Sequence, residues 1–443
     1  MKIDFYPPPM PGLGRDRPDS ASSYLRRQWI RGAWRRASWS SRLNFVLAIV
    51  AWWPSTLLHA AYLAARLGPS RSRISGKSPF RQFLEQIEVA AKWLVPPLWY
   101  YTFEFFDDER RAHARDYLQR VQMKPFIYRW LVDRVDRKDD YFPFADKVYF
   151  SEICRRHNIT ASTVIAVVAP TELRWRVPGL AALPPADLFI KPKNGRGGRG
   201  AEKWSYAAGT FRDGHGRNFT PTELADYLMR KSRFEKRVIQ YCLVNHAALA
   251  DLNLGSVATV RVLTVRNERG EIEATHAVFR MPQRAGALVD NIHAGGIAAP
   301  VDLATGKLGR ASDLGVRVDS RWHERHPETG SQILGRALPH WAATVDLAKR
   351  AHDLIGDRVV VGWDIAILQD GPCLVEGNGK PDVDLIQRPH RAGLADSRFG
   401  ELVAFHLKNF MSGDKRNGRQ ISTTKANADK NALRAAEGTA HVS

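Results

Sequence analysis

The segment Ile190-Lys191-Pro192-Lys193-Asn194-Gly195-Arg196-Gly197-Gly198-Arg199-Gly200 places four glycines within six residues. Glycine enters left-handed backbone conformations without penalty and weakens helix and strand interiors, so this stretch can only be a loop. Leu188–Lys191 before it reads as a strand, and Ala201-Glu202-Lys203-Trp204-Ser205-Tyr206 after it reads as a second. Gly195, Gly197 and Gly200 satisfy G-x-G-x-x-G, but dinucleotide binding needs a helix opening inside the motif to hold the pyrophosphate. A strand follows instead. Disordered RNA-binding segments repeat Arg-Gly-Gly, whereas this chain carries one copy between strands, and the P-loop spacing G-x-x-x-x-G-K-[ST] is absent. Two readings stay open. The hairpin folds its N–H groups over a polyphosphate while Lys191 neutralises its charge, or it is an ordinary glycine-rich surface hairpin.

A second constellation lies near the C-terminus. Val361-Gly362-Trp363-Asp364-Ile365-Ala366 is followed by Leu374-Val375-Glu376-Gly377-Asn378, with the turn signal Gln369-Asp370-Gly371-Pro372 between them. Glu376 and Asn378 are two residues apart and share one strand face. Asp364 joins that face only through an odd-numbered loop or a bulge; a two-residue loop at Asp370-Gly371 would set it opposite Gly377. With the odd register, two carboxylates and an amide oxygen converge into a hard-oxygen site suited to Mg²⁺. Without it, the segment is a solvated hairpin.

Around these motifs the patterning alternates between helix and strand. A helix is expected over Ala145–Arg156 and strands over Thr163–Val168, Val238–Leu243, Val257–Val265 and Ile272–Met281. An amphipathic helix Pro339–Ile355, strands Val359–Leu368 and Cys373–Glu376, and a helix Ser397–Phe410 complete an α+β body of about 145–410. Residues 81–144 read as a helical lead-in, and the polar tail 411–443 lacks the apolar content to fold. Three cysteines without a C-x-x-C pair provide neither a disulfide framework nor a zinc site, which suits a reducing compartment.

Charge is concentrated at the other end. The net charge is +20, and residues 1–80 contribute half of it through 13 Lys+Arg against three acids. Arg27, Arg31 and Arg35 recur at helical spacing, with Trp29, Trp34 and Trp39 among them. Such a segment suits a lipid headgroup layer or a stacked single-stranded nucleic acid. Residues 43–65 carry no formal charge and are long enough to span a bilayer. Pro54 removes a backbone hydrogen bond within them, and arginine-rich flanks on both sides conflict with the positive-inside rule. The segment is therefore a transmembrane helix, a surface-lying or re-entrant anchor, or a buried helix pair. A cleaved signal peptide is not expected, because a long polar, arginine-rich stretch precedes the apolar run.

Taken together, the lysine before a glycine hairpin and the later Asp and Glu-x-Asn resemble the ATP-grasp superfamily. The closest resemblance is to its sugar-transfer-associated group, related to α-L-glutamate ligases. It rests on Ser256–Val262, Val289–Gly296, His326-Pro327-Glu328-Thr329-Gly330, Gly362–Ala366 and Glu376-Gly377-Asn378, and runs through about 80–410. The resemblance implies an α+β fold in which two α+β subdomains clamp ATP, preceded here by the helical N-terminal region. It implies that Lys191 and Lys147 contact phosphates, that Gly195, Gly197, Gly198 and Gly200 cover them, and that Gln240, Tyr241, Cys242 and Leu243 form the adenine hinge. Asp364, Glu376 and Asn378 would hold one or two Mg²⁺. Arg261, and with it Arg280, would stabilise the transferring phosphoryl group, while Asn291 and His293 would lie near the reaction centre. For several of these a structural role is the competing reading: a surface-helix lysine for Lys147, a core strand for the hinge side chains, an ion pair for Arg261, a loop histidine for His293. His246 and His326 are read as structural.

The implied activity is ATP- and Mg²⁺-dependent ligation. A carboxylate is activated as an acyl phosphate and coupled to an amine or a sugar-linked acceptor, in sugar or surface-polysaccharide modification. The alternatives are a phosphotransferase acting on a sugar or lipid hydroxyl and a non-catalytic, membrane-associated nucleotide-binding protein. The expected location is the cytoplasm, peripheral to the inner face of a membrane, with an anionic lipid surface or membrane-bound glycan machinery as the contact of the leader. No nucleic-acid module is recognisable, so nucleic acid is not an expected partner.

Overall fold

A computed structural model of the chain describes residues 20–35, 39–132, 146–194, 199–286, 290, 292, 295–355 and 358–411. The first 19 residues and the tail expected to be unfolded lie outside the described residues.

Helices occupy the N-terminal third: α1 (Ala21–Arg35), α2 (Trp39–Ser75), α3 (Pro79–Trp93), and the short α4 (Pro97–Thr102), α5 (Asp108–Ala112), α6 (Arg120–Gln122) and α7 (Tyr128–Val132). Leu25 and Trp29, one turn apart on α1, are both buried, Trp29 with 1% exposure. The helix docks on the C-terminal helix of the body, with Leu25 in the shared core. The basic leader is thus not separate from the body, and Trp29 is a core residue rather than a lipid or base contact. On α2, Trp52, Thr56, Ala60, Leu63 and Leu67 form a buried seam at helical spacing against α3 and α4. Ser78 caps α3 by accepting from the Arg81 N–H, and Pro79, which has no N–H to satisfy, fills its first turn. The Arg71 side chain leaves α2 to donate to the carbonyls of Gly315, Arg317 and Ser320, locking the helix onto the body.

The body begins with α8 (Lys147–Arg156) and holds two seven-stranded sheets, antiparallel throughout. The first comprises β1 (Val164–Val168), β2 (Leu173–Trp175), β3 (Leu188–Pro192), β4 (Glu202–Ala207), β5 (Thr210–Asp213), β6 (Asn218–Phe219) and β7 (Arg237–Tyr241), in the order β2-β1-β7-β3-β4-β5-β6. Its core packs under α9 (Pro221–Lys231), whose Leu224 and Leu228 are fully buried. β3 alternates, so Leu188 and Ile190 enter that core while Lys191 faces the other way.

After α10 (Ala250–Asn253), the second sheet comprises β8 (Thr259–Arg266), β9 (Ile272–Met281), β10 (Ile297–Val301), β11 (Ala311–Ser312), β12 (Trp322–His323), β13 (Val360–Leu368) and β14 (Gly371–Asn378), in the order β12-β11-β10-β9-β8-β13-β14. One face packs on α11 (Trp341–Ile355) and α8. The other packs on α12 (Asp384–His390), α13 (Arg398–Met411) and the N-terminal helices. The sheets meet where the Leu374 carbonyl accepts from the Ser162 N–H and the Leu374 N–H donates to the Thr160 carbonyl.

The β13–β14 hairpin carries the feature the site depends on. Leu368 pairs with Gly371 around a two-residue Gln369-Asp370 turn, and the register then shifts between Ile365 and Asp364. Val375 is the extra residue. Without that bulge Asp364 would oppose Val375; with it, Asp364 opposes Glu376.

Candidate functional site

The bulge aligns three strands. Arg261 on β8 is opposite Asp364 on β13, which is opposite Glu376 on β14; in the next row of the same face Leu263, Gly362 and Asn378 are opposite one another. Arg261 donates from Nε to Asp364 Oδ1 at 2.6 Å and from Nη2 to Oδ2 at 2.5 Å, a bidentate pair with Asp364 only 2% exposed. Arg280 Nη2 approaches Asp364 Oδ2 at 3.1 Å and Asp290 Oδ1 at 3.2 Å. It also donates to Thr259 Oγ1 at 2.6 Å. Asp290 accepts from the Thr259 N–H at 2.8 Å and from its hydroxyl at 2.5 Å.

Burial alone would raise the Asp364 pKa, but the guanidiniums of Arg261 and Arg280 outweigh it and hold the carboxyl below its ordinary range. The Arg261 pKa is raised, because the attraction of Asp364 exceeds the cost of burial. At Asp290 burial wins over Arg280, and the pKa is raised. Arg261 thus has the ion pair offered as its structural alternative, on the same face as Glu376. Arg280 is held inside the network, where it positions Asp364 and Thr259. Gly362 leaves room for this packing: a Cβ there would lie 2.8 Å from Pro381 Cβ and 3.4 Å from Arg261 Cδ.

Glu376 and Asn378 are half-buried, and Asn378 Nδ2 lies 3.4 Å from Glu376 Oε1. The Asp364 and Glu376 carboxyls are within hydrogen-bonding reach of each other. Two converging carboxylates and an amide oxygen fit a hard dication. Among the described residues no group of three or more His, Cys, Asp or Glu side chains forms an alternative metal site. Asp364 Oδ2 faces both Arg261 and Arg280 and only Oδ1, with a single arginine partner, keeps a second lone pair, so Glu376 and Asn378 are the less committed donors.

Across from this row lies the lysine side. The Lys191 ammonium rests over the Phe189 ring at 5.8 Å. Burial pushes its pKa down to about 8; the nearby Glu376 carboxylate opposes that shift and the nearby Lys147 reinforces it. Lys147 on α8 and Glu376 in the carboxylate row are thus both near enough to Lys191 for their charges to act on it. Asp146 caps α8 by accepting from the N–H groups of Val148 and Tyr149, and pairs with Lys193 at 2.8 Å. Lys147 donates to the Lys193 carbonyl at 3.1 Å. The other end of the glycine loop is pinned by Arg237, which donates to the Gly200 carbonyl at 2.8 Å and pairs with Glu202. Gly200 is exposed with φ +70°, a conformation that favours glycine.

The expected hinge leaves β7 toward the second sheet. Gln240 is buried and its side chain donates to the Ser162 carbonyl at 2.9 Å, a structural role. Tyr241 is exposed, while Cys242 and Leu243 are half-buried. The Cys242 N–H donates to the Asp187 carbonyl, and burial raises the thiol pKa to about 11. Asn245, absent from the sequence reading, clamps the hinge by exchanging hydrogen bonds with the backbone of Ala258 at 2.9 and 2.8 Å. Asn291, His293, Gly195, Gly197 and Gly198 lie outside the described residues. His246 and His326 make local backbone contacts, to the Ala248 N–H and the Pro282 carbonyl.

Thr259 and Asp290 lie within the motifs that carry the family resemblance, which assigns no role to either. Thr259 had a readable signal, since it sits two residues from Arg261 and so shares its face. Asp290 shares no local pattern with its partner, because it reaches Thr259 from the connection between β9 and β10.

A model of the family described as sugar-transfer associated ATP-grasp matches residues 129–400. No curated protein matches. Among solved structures, the chain is similar to a D-alanine–D-alanine ligase from Bacillus anthracis at 11% identity and TM-score 0.34, covering 62% of this chain and 70% of that one. It is similar to D-alanyl-alanine synthetase A from Vibrio cholerae at 11% identity and TM-score 0.36, covering 61% and 66%. A third is an N5-carboxyaminoimidazole synthase from Aspergillus clavatus, in complex with ADP and a ribonucleotide, at 11% identity and TM-score 0.30. There the match covers 59% of this chain and only 52% of that one.

Proposed function

The chain belongs to the sugar-transfer associated ATP-grasp family, and from that premise we propose that it is an ATP- and Mg²⁺-dependent ligase. It activates a carboxylate as an acyl phosphate and couples it to an amine or sugar-linked acceptor in sugar or surface-polysaccharide modification. The observation that carries this reading is the row Arg261–Asp364–Glu376 facing a half-buried Lys191. Cations and hard-oxygen donors thereby address one space, as phosphoryl transfer requires.

In this reading Lys191 and Lys147 neutralise the polyphosphate, and the glycine loop supplies N–H groups to it. Glu376 and Asn378, with the remaining lone pair of Asp364 Oδ1, would hold Mg²⁺. The bound ion would screen the phosphates and polarise the oxygens of the transferred group. Arg261, fixed by two of its nitrogens on Asp364, holds its positive charge where the equatorial phosphoryl oxygens gain negative charge. The substrate carboxylate attacks the γ-phosphorus as the bond to ADP breaks. The acceptor nitrogen then attacks the acyl carbon and loses a proton, and phosphate departs. Positioning and electrostatics supply the rate, so no nucleophilic side chain is required.

The test is an ADP-release screen with purified protein and Mg²⁺ over amino acids, amino sugars and lipid-linked saccharides. An amide product that disappears in Glu376→Ala supports the ligase. A phosphorylated hydroxyl product would move the assignment to a phosphotransferase, and absence of ATP binding by calorimetry would sink both.

A further inference from the structure

The structure of α2 resolves a choice that its sequence leaves open. One side is committed to the protein through the seam of Trp52, Thr56, Ala60, Leu63 and Leu67. The opposite side exposes Leu47, Val50, Trp53, Leu57, Leu58 and Tyr62, with Leu58 74% exposed. This arc extends about 22 Å along the helix axis. A contiguous apolar surface of that length is uncommon on a soluble monomer and marks an interaction site.

Charge identifies the partner. α2 contains no Asp or Glu, and exposed Arg66 and Arg73 follow the apolar arc directly. The Arg66 guanidinium reaches back to the Tyr62 hydroxyl at 2.8 Å, where an aromatic tip meets a cation at the edge of the arc. An apolar face with interfacial Trp and Tyr and flanking arginines is complementary to a bilayer with anionic headgroups. Residues 1–80 contribute half of the net charge of the chain, which adds to the same attraction.

We propose that α2 lies in the plane of an anionic membrane surface and holds the body against it. Crossing the bilayer is disfavoured on two grounds. The buried seam ties the helix to α3 and α4 from Trp52 to Leu67, and the Arg71 contacts to Gly315, Arg317 and Ser320 tie its C-terminal part to the body. Pro54 has no N–H for the Val50 carbonyl one turn earlier, an orphan that water and headgroups can serve at the interface but hydrocarbon cannot.

The test needs no catalytic turnover, so its failure and that of the ligase reading are separable. The full chain is sedimented with phosphatidylcholine vesicles, with and without phosphatidylglycerol. Binding is expected with the anionic vesicles and should weaken with salt. The double variant Val50→Asp/Leu58→Asp should lose at least about tenfold in partitioning with its melting midpoint unchanged, because both sites are exposed. Arg66→Gln/Arg73→Gln should lose only the preference for anionic lipid. Alkaline carbonate should release the protein from cell membranes. Full-length protein left in the supernatant with anionic vesicles would overturn the proposal. So would carbonate-resistant insertion, or a concentration-dependent dimer dispersed by Val50→Asp/Leu58→Asp, which would identify a second copy as the occupant.

Discussion

The two sheets use charge in opposite ways. On the second sheet Arg261 and Arg280 are matched by Asp364 and Asp290, with Thr259 bridging them, and every partner is supplied by the fold. On the first sheet the half-buried Lys191 ammonium rests over a phenyl ring, beside further lysines, with its pKa depressed by burial. The first arrangement is preorganised: its electrostatic cost is met during folding. The second carries an electrostatic cost in the free protein that an anionic ligand relieves. Stability and nucleotide affinity should therefore separate by mutation.

The largest effect is expected at Asp364. Asp364→Ala leaves two buried guanidiniums without their carboxylate and should cost about 3–5 kcal/mol in urea unfolding, along with turnover. Gly362→Ala tests the same side by packing. Its Cβ would press on Pro381 and the Arg261 stem, and a loss of about 1–3 kcal/mol is expected by thermal melting, with reduced turnover. On the opposite side, Lys191→Met removes a charge that burial disfavours and should leave stability unchanged or raise it. It should still weaken nucleotide binding by about 10- to 100-fold by calorimetry, the value of one charge-assisted contact. Equal stability losses in Lys191→Met and Asp364→Ala would erase the contrast.

The smallest effect is a pH dependence. The free protein loses the Lys191 proton as pH rises through about 8, whereas a bound polyphosphate favours the charged form. Nucleotide affinity should fall several-fold above that pH and be flat below it, and Lys191→Arg should abolish the fall. The stability sign is opposite. The folded state binds fewer protons than the unfolded chain between about 8 and the ordinary lysine value of 10.5, so stability should rise across that window.

Much of the body is legible in its one-dimensional pattern. β9 has the bounds that periodicity assigns, and β3, β8, β13 and α13 differ from expectation by one or two residues. Alternation and helical spacing are local properties, fixed by which side chains must avoid water. What was not legible is equally specific. Trp29 looks like an interfacial aromatic among arginines, yet it is a core residue on a helix whose packing partner, α13, comes from the far end of the chain. β10 and α12 passed unnoticed between stronger signals, and Asp290 reaches Thr259 from the connection between β9 and β10. Asn245 reads as a loop asparagine until its exchange with Ala258 is seen.

The sequence by itself determined the strand–glycine loop–strand unit, the Glu-x-Asn face of β14 and the amphipathic elements around them, since each depends on residues within a few positions of one another. The tertiary structure decided the rest. The bulge at Val375 turned Asp364 toward Glu376, the pairing of β8 with β13 brought Arg261 to Asp364, and packing of α2 left one apolar side to the solvent. Register and the choice of buried face are set by partners distant in the chain, and no local pattern encodes which partner arrives.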